Sequence, residues 1–345
     1  MPADDDVLLS VRNLTVRFGT GRRTTTAVRD VSFDLRVGET LGLVGESGSG
    51  KTTVSRALLG LVPVAEGRIL FRGEDITHLR GRSRRALAQD IQVVFQDPYG
   101  SFNPLLKVSQ SLREGLEAAG APRAEAHRRM TDLLDRVGLP HSAADTFPSQ
   151  FSGGQRQRLA IARALMPSPS LVICDEAVSA LDVSVQAQVL NLLRELRRDN
   201  DLSYLFIGHN LHVVRYMSDR VLVMYRGQLV EQGAAEDVVA RPRHPYTRAL
   251  VAAIPEAAVD APRVTRAPQR GRPTGPGEAA GCPFAPQCPD VIDLCRTEAP
   301  RLLEHSDGRS VACHRSGELP AGSETHSETR SETASETLGE RKQTA

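Results

Sequence analysis

Alternating apolar and polar positions in the first part of the chain are typical of β-strands. The alternation predicts strands at residues 8–17 and 28–35, with Gly19 and Gly21 marking a turn between them. A short apolar strand at residues 39–44 then runs directly into a glycine-rich loop. The chain therefore begins with β-structure that leads into a loop of unusual composition.

Beyond that loop, strands and helices alternate along the chain. Helical spacing at residues 52–61 stops at Pro63, and between residues 104 and about 164 apolar residues again recur every three or four positions. A further helix is predicted at residues 184–198, and strands at residues 68–72, 91–95, 171–174, 203–207 and 220–225. We therefore expect an α/β fold: a largely parallel sheet of βαβ units, preceded by an antiparallel β subdomain and interrupted by a helical insertion.

The composition is that of an ordinary globular protein and excludes several functions. Hydrophobic residues make up 40% of the chain, and a formal net charge of +1 gives no bulk attraction to nucleic acid or anionic lipid. We therefore expect no nucleic-acid partner. No stretch approaches the roughly 18 consecutive apolar residues of a membrane span. The acidic first ten residues lack the basic and apolar regions of a secretory signal, so we expect none.

The glycine-rich loop fits the phosphate-loop pattern G-x-x-x-x-G-K-[ST], with a strand before it and a helix after it. Its glycines allow backbone N–H groups to approach phosphates, and the helix adds a positive N-terminal dipole. Lys51 can reach the β- and γ-phosphates of ATP, and the Thr52 hydroxyl is placed to ligate Mg²⁺. The alternative, a glycine-rich turn with a chance lysine, does not explain why strand, loop and helix agree. The predicted nucleotide-binding residues here are Gly45, Glu46, Ser47, Gly48, Ser49, Gly50, Lys51, Thr52 and Thr53.

A second candidate for chemistry is the apolar strand at residues 171–174, which ends in two adjacent carboxylates, Asp175 and Glu176. Ligands of parallel sheets gather at the carboxyl ends of the strands, so both acids can face the nucleotide. Asp175 is the better candidate for holding Mg²⁺, and Glu176 for acting as the general base on the attacking water. Taken alone, such an acidic pair is more often a helix start or surface charge, but the phosphate loop reverses that preference.

The segment at residues 151–158, Phe-Ser-Gly-Gly-Gln-Arg-Gln-Arg, resembles the signature motif of ATP-binding cassette (ABC) ATPases. The family usually has leucine where Phe151 stands. Ser152 and the backbone at Gly153 and Gly154 present donors at a helix start, which suits a γ-phosphate, and Gln155 belongs to the same set. The resemblance implies that this motif contacts ATP held by a second ABC ATPase subunit, identical or different, so that two cassettes enclose two nucleotides.

Four other positions match the family and take their roles from it. Gln96 resembles the glutamine loop that touches Mg²⁺ and water, and Asp182 the loop that crosses the dimer interface. His209 matches the switch histidine that contacts the γ-phosphate. Phe18 is placed like the aromatic residue that stacks on adenine, although a core phenylalanine would look the same. The chain departs from the family after the acidic pair, where Ala-Val at 177–178 replaces the usual Pro-Thr, but no catalytic group is lost.

The resemblance covers about residues 7–250 and points to one subfamily. Residues 95–104, residues 244–250 and the cysteines near the end of the chain resemble the ATPases of oligopeptide and dipeptide importers. This implies ATP hydrolysis on the cytoplasmic face of the cell (inner) membrane, with two membrane permease subunits as partners and a solute-binding protein as an indirect one. Import of another substrate, such as nickel or glutathione, and a non-transport ABC ATPase acting on a soluble partner are the alternatives.

Four cysteines near the end of the chain are spaced C-x5-C-x6-C-x17-C, at Cys282, Cys288, Cys295 and Cys313. Without an export signal, clustered cysteines indicate a metal site before a disulfide. The tight C-x₂₋₄-C spacing of zinc sites is absent, whereas iron–sulfur clusters accept more varied separations. The resemblance implies a 4Fe–4S cluster; zinc and four unligated thiols remain the alternatives. Cys174, in an apolar strand, is expected to be a packing residue.

These patterns divide the chain into three parts. We expect an ABC ATPase domain at residues 7–254, with a helical subdomain at about 97–165, and a C-terminal extension at 255–315 that carries the four cysteines. Within the extension, residues 258–280 are rich in Pro, Gly and Arg and are typical of a linker. Residues 316–345 contain Ser-Glu-Thr four times and too few apolar groups to offset the entropy of ordering, so we expect a disordered tail.

Overall fold

The computed structural model describes residues 6–19, 21, 24–97, 99–253 and 281–317. The predicted linker at 258–280 and the tail from residue 318 onward lie outside these residues. The first two described strands are long and pair antiparallel. Together with two later strands they form a four-stranded sheet in the order β2-β1-β4-β5. Its strands are β1 (Val7–Phe18), β2 (Thr25–Arg36), β4 (Glu66–Phe71) and β5 (Glu74–Asp75). The predicted antiparallel β subdomain is therefore confirmed.

An eight-stranded sheet forms the centre of the protein, in the order β11-β12-β10-β9-β3-β8-β7-β6. The five strands from β9 to β6 run parallel, and the remaining three are added antiparallel at one side. The parallel strands are β3 (Thr40–Val44), β6 (Ile91–Phe95), β7 (Leu171–Asp175), β8 (Ser203–Gly208) and β9 (Arg220–Tyr225). Strands β3 and β7 are buried at every position. Helices cover one face of the parallel sheet, and a helix and the four-stranded sheet cover the other. The predicted α/β core is confirmed, and the Cys174 side chain packs inside it.

Helices connect the parallel strands and cover the sheet. Helix α1 (Lys51–Leu58) follows β3 and ends three residues before the predicted end, because Gly60 adopts a φ of 65° and turns the chain. The other helices of this part are α2 (Gly81–Asp90), α3 (Val108–Ala118), α4 (Arg123–Arg136), α5 (Gly153–Leu165), α6 (Val183–Asn200) and α7 (Leu211–Met217). Three of them, α3, α4 and α5, lie between β6 and β7 and form the helical insertion, where short 3₁₀ turns interrupt the predicted helical run.

The last described part of the chain returns to the central sheet. Strand β10 (Gln228–Ala234) is followed by the helices α8 (Ala235–Ala240) and α9 (Pro245–Ala252). Residues 281–317 then contribute the short helix α10 (Leu294–Thr297) and the strands β11 (Leu303–Glu304) and β12 (Ser310–Val311). Because β12 pairs with β10, residues 281–317 pack against the cassette as an extension of its sheet. We call these residues the cysteine module.

The buried side chains form two clusters, one on each side of the central sheet. One contains the apolar faces of the helical insertion and α6, and the other joins the four-stranded sheet to α1. Among the described residues, no helix is long and apolar enough to cross a membrane.

Candidate active site

The strand order brings the loops with predicted chemistry to one edge of the central sheet. In the parallel register, Val44 lies beside Gly208, and Asp175 lies between Ile207 and Phe95. The loops after β3, β6, β7 and β8 therefore leave the sheet at the same edge, where ligands of parallel α/β sheets bind. These loops contain the phosphate loop, Gln96, Glu176 and His209.

Two glycines of the phosphate loop are required by the fold around it. Gly45 has a φ of 156°, and a Cβ there would lie 2.2 Å from the Met224 carbonyl oxygen. Gly50 has a φ of 107°, and a Cβ there would lie 2.6 Å from the Ala27 carbonyl oxygen. Strands β9 and β2 thus press against the loop from two sides, and only glycine allows their backbones to come this close.

Lys51 is held inside this loop by backbone carbonyl groups. Its Nζ donates hydrogen bonds to the carbonyl oxygens of Gly45 at 2.8 Å and Glu46 at 3.0 Å, and lies 3.9 Å from Oε1 of Glu176. Burial lowers the pKa of the Lys51 ammonium, while the nearby carboxylates oppose that shift. The ammonium is therefore preorganised at the centre of the loop, where phosphates would bind.

Asp175 is tied to helix α1 by two hydroxyl groups. Ser55 Oγ donates to Oδ2 of Asp175 at 2.7 Å, and Thr52 Oγ1 donates to Oδ1 at 3.3 Å. Burial raises the pKa of the Asp175 carboxyl, and these two hydrogen bonds counteract part of that shift. The structure thus brings together Thr52 and Asp175, two of the three residues predicted to contact Mg²⁺; the third is Gln96. Ser55 was not predicted, although it lies one helical turn after Thr52, and that spacing was a usable signal.

Glu176 occupies a strained backbone position between Lys51 and His209. Its φ is 52°, in the left-handed region, and its N–H donates to the Ile207 carbonyl oxygen at 3.0 Å. Its own carbonyl oxygen accepts hydrogen bonds from the backbone N–H and the hydroxyl of Ser179. With the backbone held in this way, Oε2 of Glu176 lies 3.6 Å from Nδ1 of His209. The substituted residues 177 and 178 that follow are buried in the core.

The signature residues lie at the start of helix α5, as predicted. Ser152 caps this helix: its hydroxyl accepts a hydrogen bond from the Gln155 backbone N–H, and the Ser152 backbone N–H donates one to Oε1 of Gln155. The helix start packs against the beginning of α6, because a Cβ on Gly154 would lie 2.4 Å from Val185. Asp182 caps α6 and accepts from the Val185 N–H at 3.0 Å. The signature and the predicted interface loop therefore lie side by side.

Two predicted residues stand apart from these contacts. Gln96 is exposed and directly follows β6 at the edge where the other loops meet. Phe18 ends β1 in the four-stranded sheet, with 41% of its surface exposed. Phe18 is therefore not a core residue, and its ring is available for contact. The roles of both residues stay predictions.

A tyrosine far along the chain also contacts the phosphate loop. The Tyr246 hydroxyl accepts a hydrogen bond of 2.9 Å from the Glu46 backbone N–H. Tyr246 belongs to the stretch at 244–250, whose only value in the sequence was as a family marker. Because 200 residues separate the two partners, no local pattern could have predicted their contact.

The four cysteines of the module line one pocket, beside His244 and Phe284. All four are free thiols, and burial raises the pKa of the Cys288 thiol to about 11. Among the described residues, no group of three or more His, Cys, Asp or Glu is arranged to hold a metal ion. The four cysteines therefore line the same pocket, but they are not arranged with the geometry of metal ligands.

Comparison with known proteins identifies the class. A sequence model described as "ABC transporter" matches residues 28–179, and one described as "Oligopeptide/dipeptide transporter, C-terminal region" matches residues 230–295. The chain is 46% identical over 310 residues to a protein of Brucella ovis named a peptide import ATP-binding protein, covering 89% of this chain and 98% of the relative. It is 47% identical over 320 residues to a peptide ABC transporter ATP-binding protein of Sinorhizobium fredii, covering 90% of each.

Solved structures agree with this class. The protein cbiO1 of Clostridium perfringens, part of an ABC transporter complex, matches with a TM-score of 0.62 and 28% identity over 68% of this chain and 91% of that one. A dimeric ATP-binding cassette bound to ADP and phosphate matches with a TM-score of 0.60 and 25% identity over 66% of this chain and 99% of that one. The chain therefore belongs to the ATP-binding proteins of the ABC transporter family, and it is an ATPase.

Proposed function

We propose that this protein hydrolyses ATP to drive the import of dipeptides or oligopeptides through a membrane transporter. The observation that carries this proposal is the C-terminal region. Residues 230–295 match the oligopeptide/dipeptide transporter type, and the match begins in β10, a strand of the central sheet. Strand β12, which follows the matched residues, pairs with β10. The names of the Brucella and Sinorhizobium relatives support the same cargo. The protein itself would not touch the peptide, since its predicted site is for nucleotide.

In this proposal the phosphate loop binds ATP, and its bound Mg²⁺ is held by Thr52 and Asp175. These residues fit the ion, because a hydroxyl and a carboxylate oxygen converge within 3.3 Å and hard oxygen ligands are those that Mg²⁺ prefers. When bound, Mg²⁺ supplies charge neutralisation on the phosphate oxygens. The Lys51 ammonium adds positive charge at the same phosphates. Gln96, at the same edge of the sheet, would contact the Mg²⁺ and the water.

Hydrolysis in this proposal depends on Glu176 as the general base. Its carboxylate stands between the Lys51 ammonium and the His209 ring, at 3.9 Å and 3.6 Å, and can accept a proton from water that attacks the γ-phosphate. His209 orients this carboxylate and contacts the γ-phosphate. Most of the acceleration would come from positioning and charge stabilisation, as is usual in phosphoryl transfer.

A second cassette would complete each nucleotide site. Ser152, Gly153 and Gly154 lie at the start of α5, beside the α6 helix start that Asp182 caps, and Ser152 is exposed. Their donors suit a nucleotide held by a partner subunit. The related cassette bound to ADP and phosphate is a dimer, which supports this arrangement. Phe18 would stack on the adenine of the nucleotide that this chain holds.

Coupling to the membrane would run through the segment that follows Gln96. Tyr99 in this segment is exposed, and its ring is covered by the Arg156 guanidinium of α5 at 3.8 Å. A shift of the signature helix would therefore move the exposed segment. We propose that this surface meets two permease subunits at the cytoplasmic face of the inner membrane, with a solute-binding protein acting indirectly.

We also propose the domain division: an ATPase domain at residues 7–254 with a helical subdomain at about 97–165, an extension at 255–315, and a tail at 316–345. For the extension we propose a 4Fe–4S cluster on Cys282, Cys288, Cys295 and Cys313, with zinc as the alternative. Four free thiols that line one pocket support a thiolate-bound metal centre.

Uptake measurements test the transport proposal. Cells that lack the gene receive either the parent chain or Glu176→Gln, and uptake of labelled dipeptides, oligopeptides, nickel and glutathione is compared. Peptide uptake that is restored by the parent chain but not by Glu176→Gln supports the proposal. If the parent restores uptake of nickel or glutathione instead, that compound is the cargo. Purification of the parent chain without multi-span membrane proteins would favour a soluble partner instead.

A further inference from the structure

The Gly45–Glu46 peptide bond of the phosphate loop is held from both of its polar ends. Its carbonyl group, on Gly45, accepts a hydrogen bond of 2.8 Å from Lys51 Nζ. Its N–H group, on Glu46, donates a hydrogen bond of 2.9 Å to the hydroxyl oxygen of Tyr246. Because the C=O and N–H of a trans peptide point in opposite directions, the two side chains fix the peptide plane between them.

This plane matters for the lysine as much as for the loop. If the Glu46 N–H lost its acceptor, the peptide could rotate, and rotation would turn the Gly45 carbonyl away from Lys51 Nζ. The ammonium would then lose one of the two carbonyl groups that hold it, and would sample positions away from the phosphates. A contact outside the nucleotide site thus orders the group that binds the phosphates.

Tyr246 is itself held firmly at the start of helix α9. Its backbone N–H donates to Nδ1 of His244, which caps the helix. The backbone N–H of His244 donates in turn to the buried Glu231 carboxylate on β10. The Tyr246 ring packs at 4.5 Å, between centroids, on Tyr225, whose strand lies against the phosphate loop. The hydroxyl therefore has little freedom to leave the Glu46 N–H.

The cysteine module adds a third ring, Phe284, to the pair formed by Tyr225 and Tyr246, and the three rings form an aromatic cluster. Phe284, two residues after Cys282, lies 5.6 Å from the Tyr246 ring and 5.3 Å from the Tyr225 ring, between centroids. Phe284 is 4% exposed and belongs to the larger core cluster. Arg248, on the same helix as Tyr246, pairs with Asp290 of the module at 3.2 Å. The module and the phosphate loop therefore both contact Tyr246, the module through its ring and the loop through its hydroxyl.

We propose that Tyr246 is a positioning residue for the phosphate loop, and that the cysteine module sets the affinity for ATP through the contact of Phe284 with Tyr246. Two continuous steps carry the effect: ring packing from Phe284 to Tyr246, and one hydrogen bond from Tyr246 to the loop. The inference concerns ATP binding alone. It holds whatever the cysteines ligate and whatever cargo is transported, so its failure would leave the transport proposal untouched.

The first test removes the hydroxyl and keeps the ring. Tyr246→Phe in the full chain should raise the Kd for ATP with Mg²⁺ by about two- to tenfold, the range of one neutral hydrogen bond. The KM for ATP should rise likewise, whereas kcat should stay within about twofold, because the loop still forms once nucleotide is bound. Tyr225→Phe is the matched control, since it removes a hydroxyl from the neighbouring ring and should leave the Kd unchanged.

The second test asks whether the module acts through that hydroxyl. Phe284→Leu keeps an apolar side chain in the cluster but loses the ring, and should weaken ATP binding in the same direction. In a double-mutant cycle, Phe284→Leu should cost little further affinity once Tyr246→Phe is present. Melting temperatures of all variants are recorded in parallel, because a purely structural role would lower them without changing the Kd of the folded protein.

Three results would overturn the proposal. An unchanged Kd for Tyr246→Phe would show that the hydroxyl does not position the loop. An equal rise for Tyr225→Phe would assign the effect to the aromatic cluster in general. Fully additive effects in the cycle would show that the module does not act through Tyr246.

Discussion

Nδ1 of His209 lies 3.6 Å from Oε2 of Glu176, and the two residues follow neighbouring parallel strands of the central sheet. The pairing depends on the left-handed backbone of Glu176, whose φ is 52°. Strain of this kind is retained where a side chain must point in a direction that ordinary backbone does not allow. Here it aims a carboxylate from the strand end toward both the histidine and Lys51.

Glu176→Gln should leave ATP binding intact and lower the hydrolysis rate by about 10²- to 10⁴-fold, the usual contribution of a general base. The amide keeps the shape of the side chain but cannot accept the proton of the attacking water. Phosphate release and ATP binding are measured on the same preparation. Glu195→Gln, an exposed change on α6, is the control and should hydrolyse ATP like the parent. Hydrolysis at the parental rate by Glu176→Gln would refute the assignment.

Lys51→Ala should weaken ATP binding itself, by about ten- to a hundredfold, because it removes a charge-assisted contact to the phosphates. Equilibrium titration with ATP and Mg²⁺ measures the effect. Lys107→Ala removes an exposed lysine of the helical insertion that pairs with Asp145, and should bind ATP normally. Equal affinities for the two variants would contradict the placement of Lys51.

Ser55→Ala should destabilise the nucleotide-free protein by about 1–3 kcal/mol, because the buried Asp175 carboxylate loses its shortest hydrogen bond. The change should also raise the pKa of Asp175 further, since this hydrogen bond is one that lowers it. Denaturant unfolding measures the free energy. Ser83→Ala, at an exposed position of α2, is the matched control and should change the stability little. Equal stabilities for the two variants would show that Ser55 does not support the carboxylate.

Acid should destabilise the protein partly through His244. Burial, together with the nearby positive charge of Arg248, lowers the pKa of His244 to about 4, against an ordinary value near 6.5. In the folded protein the His244 Nδ1 accepts the Tyr246 backbone N–H, as only the neutral ring can. The unfolded chain therefore binds the proton first. The contribution is fully present above about pH 6.5 and is lost as pH falls toward 4, with a total of about 3 kcal/mol.

The variant His244→Asn isolates this contribution. Asparagine keeps a capping acceptor for the Tyr246 N–H but does not titrate in this range. The free energy of unfolding is compared between parent and variant from pH 7 to pH 4, so that Glu231 and other carboxyls cancel. The parent should lose more stability over this window, and parallel curves would contradict the assigned cause.

Protein purified without oxygen should be brown and contain iron and acid-labile sulfide. Cys288→Ser should lose both, because it removes one of the four cysteines that line the pocket and are proposed to hold the cluster. Cys174→Ser is the control, since Cys174 is buried in β7 within the core, and should keep iron and sulfide. Colourless protein with stoichiometric zinc would show that the cysteines bind zinc and not a 4Fe–4S cluster. The ATPase function would be unaffected by that result.

Much of the candidate active site at the edge of the central sheet could be predicted, because its sequence motifs are short and local. The phosphate loop needs glycine at Gly45 and Gly50, and the acidic pair directly follows a buried strand, so each motif is contained in a few consecutive residues. Once a parallel sheet is inferred, the carboxyl ends of its strands must meet at one edge. Phe18 shows the limit of this reasoning, because its exposure became known only from the folded sheet.

The sequence by itself determined the fold class, the phosphate loop and the acidic strand end, because hydrophobic periodicity and backbone requirements are local properties of a chain. Only the tertiary structure decided what surrounds them. The contact of Tyr246 with Glu46 joins residues 200 positions apart, and it exists because β9, β10 and α9 fold back beside the loop. The packing of Phe284 on Tyr246 depends in the same way on the pairing of β12 with β10. Such contacts follow from the order in which strands pair, which no local pattern encodes.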